Sequence, residues 1–202
     1  MRETVYFLVF EGFADWQCAL ALCEIRRPGD WQVQTVGFSM APVHSMGGLR
    51  VQPDVMLDQL DLSGAALLIV PGGHLWQRGD GEAAVRAIRR VHAAGAPVAA
   101  IDSGVLALAR AGLLNQARHT GNWSGQITAE VSAYLGAEQY DGGVLAVSDG
   151  GVTTASHLGS VEFAREIIHT LDLYSTIDCE HWYRLFKHAQ LPPWCIGESV
   201  AA

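Results

Sequence analysis

Basic charge is scarce in this chain: 13 Lys and Arg stand against 21 Asp and Glu, for a formal net charge of -8. A nucleic-acid binder carries a basic face, so that class is excluded from the expectations. Long apolar runs are also missing. No stretch reaches membrane-spanning length, and a membrane partner is not expected. The run "VYFLVF" follows Arg2 and Glu3, precedes Glu11 and Asp15, and has no small-residue cleavage site; a cytoplasmic location is expected. Cysteine is sparse and unpatterned. Cys18, Cys23, Cys179 and Cys195 form no CxxC and are expected to be free, buried thiols. The eight histidines show no HxH or HxxxH spacing, so neither a metal site nor a cofactor is expected.

What is present is apolar and alternating. Half of the 202 residues are hydrophobic, enough for a proper core. The length predicts one domain over 1–202, with a C-terminal helical tail over about 176–202. Strands are predicted at 4–10, 31–38, 65–73 (closed by Pro71-Gly72-Gly73) and 97–102, and as a pair around Asp149-Gly150-Gly151 within 143–156. Helices are predicted at 14–27, 81–95, 104–114, 125–136 and 160–173, and in the tail before Pro192-Pro193. Gly47-Gly48 marks a small hairpin. Continuous apolar runs such as "AALLIV" suit parallel strands buried on both faces. The fold class is therefore α/β, a doubly wound and mostly parallel sheet.

One turn stands out. "VAAIDSGVLALARAGLL" (98–114) passes from a buried strand straight into a helix, with Asp102 at the break. Ala99, Ala100, Gly104 and Ala107 leave room for strand and helix to approach closely. That is the pattern of a nucleophile elbow, whose apex side chain projects above the carboxyl end of the sheet. A plainer alternative has Asp102 merely capping the helix that follows.

The stretches "LVFEGFADWQ", "ALLIVPGG", "VAAIDSGVLALARAGLL", "RHTGN" and "TTASHLGSVEFAREII" resemble, in order and over almost the whole chain, the PfpI family of intracellular protease/amidase-like proteins. That family includes the parkinsonism-associated deglycase and belongs to the class I glutamine amidotransferase-like superfamily. The resemblance implies a flavodoxin-like three-layer sandwich and a homodimer. It also implies a reactive cysteine at the elbow, a glutamate in the first helix and a histidine after the elbow helix. The matching positions here are Asp102, Gln17 and Asn122, with His119 three residues before the last. Ser103 lies one residue past the apex and is expected to point away from it.

These departures read as linked. A Glu facing Asp102 would repel it unless the two shared a proton. A Gln can instead donate its NH2, so a Gln17–Asp102 hydrogen bond is expected, with both residues assigned to the reacting centre. A carboxylate there also resembles a cysteine oxidised to sulfinate. By the resemblance, Gly72, Gly73 and Ser103 form the binding wall, with the Gly73 and Ser103 N–H groups as an oxyanion hole. Asn122, His74 and His157 complete the binding residues. Trp16 is read as packing, and Trp182, Tyr183 and Phe186 as core or dimer packing.

The expected function is that of a PfpI-like protein acting on an unknown small molecule without thiol chemistry, through a small polar cleft at Asp102. Two alternatives stay open: a hydrolase or lyase using Asp102 as general base or nucleophile, and a stress-response binding scaffold.

Overall fold

A computed structural model describes residues 3–195; the end of the predicted tail, 196–202, lies outside the described residues. Nine strands occur in chain order: β1 (Thr4–Leu8), β2 (Gln32–Gly37), β3 (Val43–His44), β4 (Arg50–Val51), β5 (Val55–Met56), β6 (Ala65–Val70), β7 (Val98–Ile101), β8 (Ala146–Asp149) and β9 (Val152–Ala155), counted among the described residues. Seven of them form the central sheet, in the order β5-β2-β1-β6-β7-β9-β8. All neighbours pair in parallel except β8, which pairs antiparallel to β9 around the Gly150-Gly151 turn. The other two, β3 and β4, form a separate hairpin. The sheet is doubly wound, as the apolar runs indicate.

Each helix buries the face its spacing dictates. In α3 (Glu82–Ala93) Ala84, Val85, Ala87, Ile88 and Val91 form one apolar stripe. In α1 (Asp15–Arg26) the buried stripe is Gln17, Cys18, Ala21, Glu24 and Ile25, so it is polar at both ends. Gln17 lies at the end nearest the carboxyl edge of the sheet. The remaining helices are α2 (His74–Gln77), α4 (Val105–Arg110), α5 (Ser124–Glu130), α6 (Ser160–Thr170) and α7 (Thr176–His188).

Some boundaries differ from the sequence reading. The elbow helix opens with a tight turn over Asp102–Gly104 and ends at Arg110, short of Leu114. The helix expected over 125–136 stops at Glu130, where Val131 turns extended. The segment beyond it is captured by tertiary contacts, including Leu135 N–H to Asn115 Oδ1 at 2.9 Å. Cys18 and Cys179 are buried as expected, but Cys23 and Cys195 are exposed. Trp16 is 53% exposed and does not pack in the core. Trp182 is buried, whereas Phe186, tilted against it at 4.9 Å, is 44% exposed.

Candidate functional site

The strand order reverses at β1: β2 lies on one side of it and β6 on the other. In open α/β sheets such a crevice at the carboxyl ends of the strands is where ligands are held. Here the chain brings together the segments that follow β1, β6, β7 and β9.

Asp102 sits at the end of β7 with φ +58°. This is left-handed backbone, which costs a non-glycine residue about 1–2 kcal/mol and which Asp tolerates better than most. The turn is tight because Gly104 passes under the end of β6: a Cβ there would lie 2.7 Å from Val70 O and 2.8 Å from Pro71 O. Neither helical start in this segment has a side-chain cap, so Asp102 does not serve as one. Its carboxylate turns instead toward two amides. Gln17 Nε2 donates to Oδ2 at 2.8 Å, and Asn122 Nδ2 donates to Oδ1 at 2.6 Å.

Both amides are oriented from behind. Gly72 N–H donates to Gln17 Oε1 at 2.8 Å, and His157 N–H donates to Asn122 Oδ1 at 2.9 Å. A backbone N–H can only donate, so it fixes which end of each amide is the oxygen. The NH2 groups then face a carboxylate, which when ionised only accepts. Donors and acceptors match at every link from Gly72 to His157.

Local structure explains the placement. Ala14 N–H donates to Gly72 O at 3.0 Å, tying the start of α1 to the Pro71-Gly72-Gly73 turn and setting Gln17 over it. Trp76, fully buried, donates Nε1–H to Pro71 O at 2.8 Å and meets the Phe10 ring edge-on at 5.3 Å. On the far side Thr120 N–H donates to Thr154 Oγ1 at 2.8 Å, and Tyr140 OH to Gly121 O at 3.2 Å, presenting Asn122. Asp15 accepts from Ser45 Oγ at 2.9 Å and from Gly47 N–H at 3.2 Å, holding the β3–β4 hairpin beside the same end of α1.

Of the two N–H groups expected to form an oxyanion hole, at Gly73 and Ser103, the one at Gly73 is engaged. Ser103 is 4% exposed; its Oγ receives Gly73 N–H at 2.9 Å and donates to Gly73 O at 3.2 Å. Gly73 N–H is therefore engaged, as Gly72 N–H is by Gln17. The cause is the register already noted: one residue past the apex, Ser103 points back into the turn. That hydroxyl is sealed and locks the Gly73 loop.

His74 lies elsewhere. It is exposed, contacts Gln77 Oε1 at 3.3 Å through Nδ1, and lines a cavity of about 460 Å³ with Phe10, Glu11, Phe38 and Arg78. Phe38 and Ser39, which follow β2, line that cavity, and Asp102 does not. His119 is fully buried, with Nδ1 2.8 Å from Ala117 O and Nε2 2.7 Å from Tyr134 OH. Burial lowers its pKa, and the Ala117 carbonyl opposes that only in part. Sequence reasoning missed Trp76 as the support of the Gly72-Gly73 turn; the signal was an aromatic in "HLWQ" directly after Pro-Gly-Gly. Among the described residues no group of three or more His, Cys, Asp and Glu is placed to hold a metal, and no helix is long and apolar enough to cross a membrane.

Comparison with known proteins agrees with this architecture. The chain is 31% identical over 190 residues to the uncharacterized protease YoaZ of Bacillus subtilis, covering 91% of this chain and 90% of that one. The crystal structure of a DJ-1 superfamily protein from Agrobacterium tumefaciens superposes with a TM-score of 0.86 at 33% identity, covering 93% of this chain and 98% of that one. A thiJ/pfpI family protein from Bacillus anthracis gives 0.88 at 30% identity, covering 98% and 96%. The sequence model of the DJ-1/PfpI family matches residues 3–170, and with these likenesses the chain belongs to the DJ-1/PfpI family.

Proposed function

We propose that this chain is a non-thiol member of its family, with Asp102 where a reactive cysteine is expected, and that its cleft binds a small molecule through hydrogen-bond donors. One observation carries this reading. Gln17 and Asn122 hold the carboxylate between two oriented amides, while the Gly73 N–H expected to receive an oxyanion is already engaged by Ser103 Oγ. Each carboxylate oxygen keeps acceptor capacity beyond its one amide bond. The cleft thus favours an ammonium or other donor and disfavours an anion. Deglycation, glyoxalase and amidotransfer by a cysteine mechanism are not expected, because a carboxylate lacks thiolate nucleophilicity.

Thermal shifts with small primary amines and matched carboxylates test this. Amines should raise Tm in the wild type and not in Asp102→Ala, and carboxylates in neither. Stabilisation by carboxylates, or by amines equally in both proteins, would overturn it.

A second reading, a hydrolase or lyase using Asp102 as base or nucleophile, is favoured by the left-handed backbone at that residue, since such strain is commonly kept at reacting centres. Small amides, esters and aldehydes tested against wild type and Asp102→Asn decide it: equal, negligible rates in both remove the catalytic reading. A cytoplasmic homodimer remains part of the proposal, as does the scaffold alternative. Light scattering measures the dimer, and its loss in Asp102→Ala would favour the scaffold.

A further inference from the structure

His157 carries more of the site than its loop position suggests. It lies in the turn after β9, pinned by Ser156 N–H to Leu145 O at 2.9 Å and Gly159 N–H to Ser156 O at 2.9 Å. Asn122 Oδ1 is met twice by this residue: by its backbone N–H at 2.9 Å and by ring Nδ1 at 2.9 Å. The orientation of the Asn122 amide is fixed independently from both ends, because Asp102 needs the NH2 and the His157 backbone needs the oxygen. Nδ1 therefore faces an acceptor and must carry a hydrogen. In the neutral ring the lone pair then resides on Nε2. The ring is exposed, and none of the described hydrogen bonds engages Nε2.

We infer that His157 is the site's second acceptor, held by Asn122 as a positioning residue in the Nδ1–H tautomer so that Nε2 receives a hydrogen bond or a proton from a donor on the ligand. This deepens, and rests on, the reading of the cleft as a receiver of donors. Asp102 supplies a carboxylate on the NH2 end of Asn122, and His157 supplies the Nε2 acceptor of a ring held at its oxygen end. A ligand with two donors, such as an amino alcohol, matches the pair. Asp102 contributes to both, because its oxygen aligns the Asn122 amide that in turn aligns the ring.

The tautomer is read without any ligand, so this inference and the proposed function fail separately. Long-range proton–nitrogen spectra of the ¹⁵N-labelled protein at about pH 8.5, roughly two units above the ordinary histidine value, report neutral rings. The His157 signals are identified by their loss in His157→Gln. The Nδ1–H form should predominate in the wild type. In Asn122→Ala the tautomer ratio should move toward the Nε2–H form by about three- to tenfold, the scale of one net hydrogen bond. A predominant Nε2–H form in the wild type overturns the inference, and that measurement stands even if Asn122→Ala does not fold. An unchanged ratio in folded Asn122→Ala also overturns it.

Discussion

Gly72 is packed against Asp102 so closely that no side chain fits between them. A Cβ on Gly72 would collide with Asp102 Oδ2 and would lie 2.7 Å from Gln17 Oε1. The same glycine donates its N–H to that Gln17 oxygen. Gly72→Ala must therefore push the carboxylate, the amide or the turn aside. It should destabilise the protein by about 1–3 kcal/mol, the usual cost of overpacking a close-packed site. Urea unfolding measures this, and a variant as stable as the wild type would mean that the turn yields freely.

The donor–acceptor order around Asp102 predicts a compensating pair. Asp102→Asn offers one oxygen and one NH2 to two amides that are both oriented as donors, so one contact becomes NH2 against NH2. Gln17→Glu instead places two carboxylates together. Each single variant should lose about 1–3 kcal/mol at neutral pH, the penalty for a mismatched buried polar group. Combined, the carboxylate introduced at position 17 accepts from Gly72 N–H and from the new amide at position 102, whose oxygen accepts from Asn122. The double variant should be more stable than the sum of the singles by about 1–3 kcal/mol. Urea unfolding of the four proteins closes the cycle, and strictly additive losses would mean that the two positions do not exchange a hydrogen bond. In Gln17→Glu alone, stability should recover as pH falls. A proton shared by the two carboxylates raises a folded-state pKa above its unfolded value, and that stabilises the acid side.

The sheet was legible in the sequence because its inner strands are bare apolar runs: "LLIV" in β6 and "VAAI" in β7 have no reading as solvated elements. β5 was not, since its two residues become a strand only through pairing of Val55 with Val36 and Met56 with Gly37. The Gln17–Asp102 contact could be anticipated by matching a neutral donor to a carboxylate once the two positions were aligned through the family resemblance. The closure of the Gly73 N–H could not. Register turns Ser103 away from the apex, but which backbone group its hydroxyl then meets depends on the packing of the Gly73 loop, which residue spacing does not encode. The link from Asn122 to His157 was hidden for a similar reason, because 35 residues separate them and only the packing of the β9 turn brings them together.

At the other end of α1, Glu24 is 1% exposed and accepts two bonds from Arg27, at 2.9 and 2.8 Å, and one from Tyr174 OH at 2.5 Å. Burial pushes its pKa up, but the Arg27 and Tyr174 hydrogen bonds outweigh that and hold it below the ordinary 4.5. Arg27→Leu removes both Arg27 hydrogen bonds and leaves the Tyr174 hydroxyl on the carboxylate. The expected loss is about 1–3 kcal/mol, below the full cost of breaking a buried pair because the Arg27 side chain is largely exposed. The deficit, read by urea unfolding across pH, should shrink as pH falls toward 4.5 and below, where Glu24 of the variant takes up a proton. A deficit constant with pH would place the effect in packing.

His119 sets a separate acid sensitivity. Its ring is enclosed, and burial holds its pKa below the ordinary 6.5. The unfolded chain therefore binds a proton at a higher pH than the folded one. The contribution of the neutral ring to stability is complete above about 6.5 and declines as pH falls from there toward the depressed folded value, so stability should drop with acidification in that window. Replacing the ring by one that does not titrate, as in His119→Phe, removes this slope while forfeiting the hydrogen bonds to Ala117 O and Tyr134 OH. The variant should be less stable than the wild type at about pH 8 by about 1–3 kcal/mol, the cost of leaving a buried hydroxyl and carbonyl unpaired. Between about pH 6.5 and 5 that gap should narrow. Parallel stability curves for the two proteins across this range would show that His119 does not sense acid, whatever its burial.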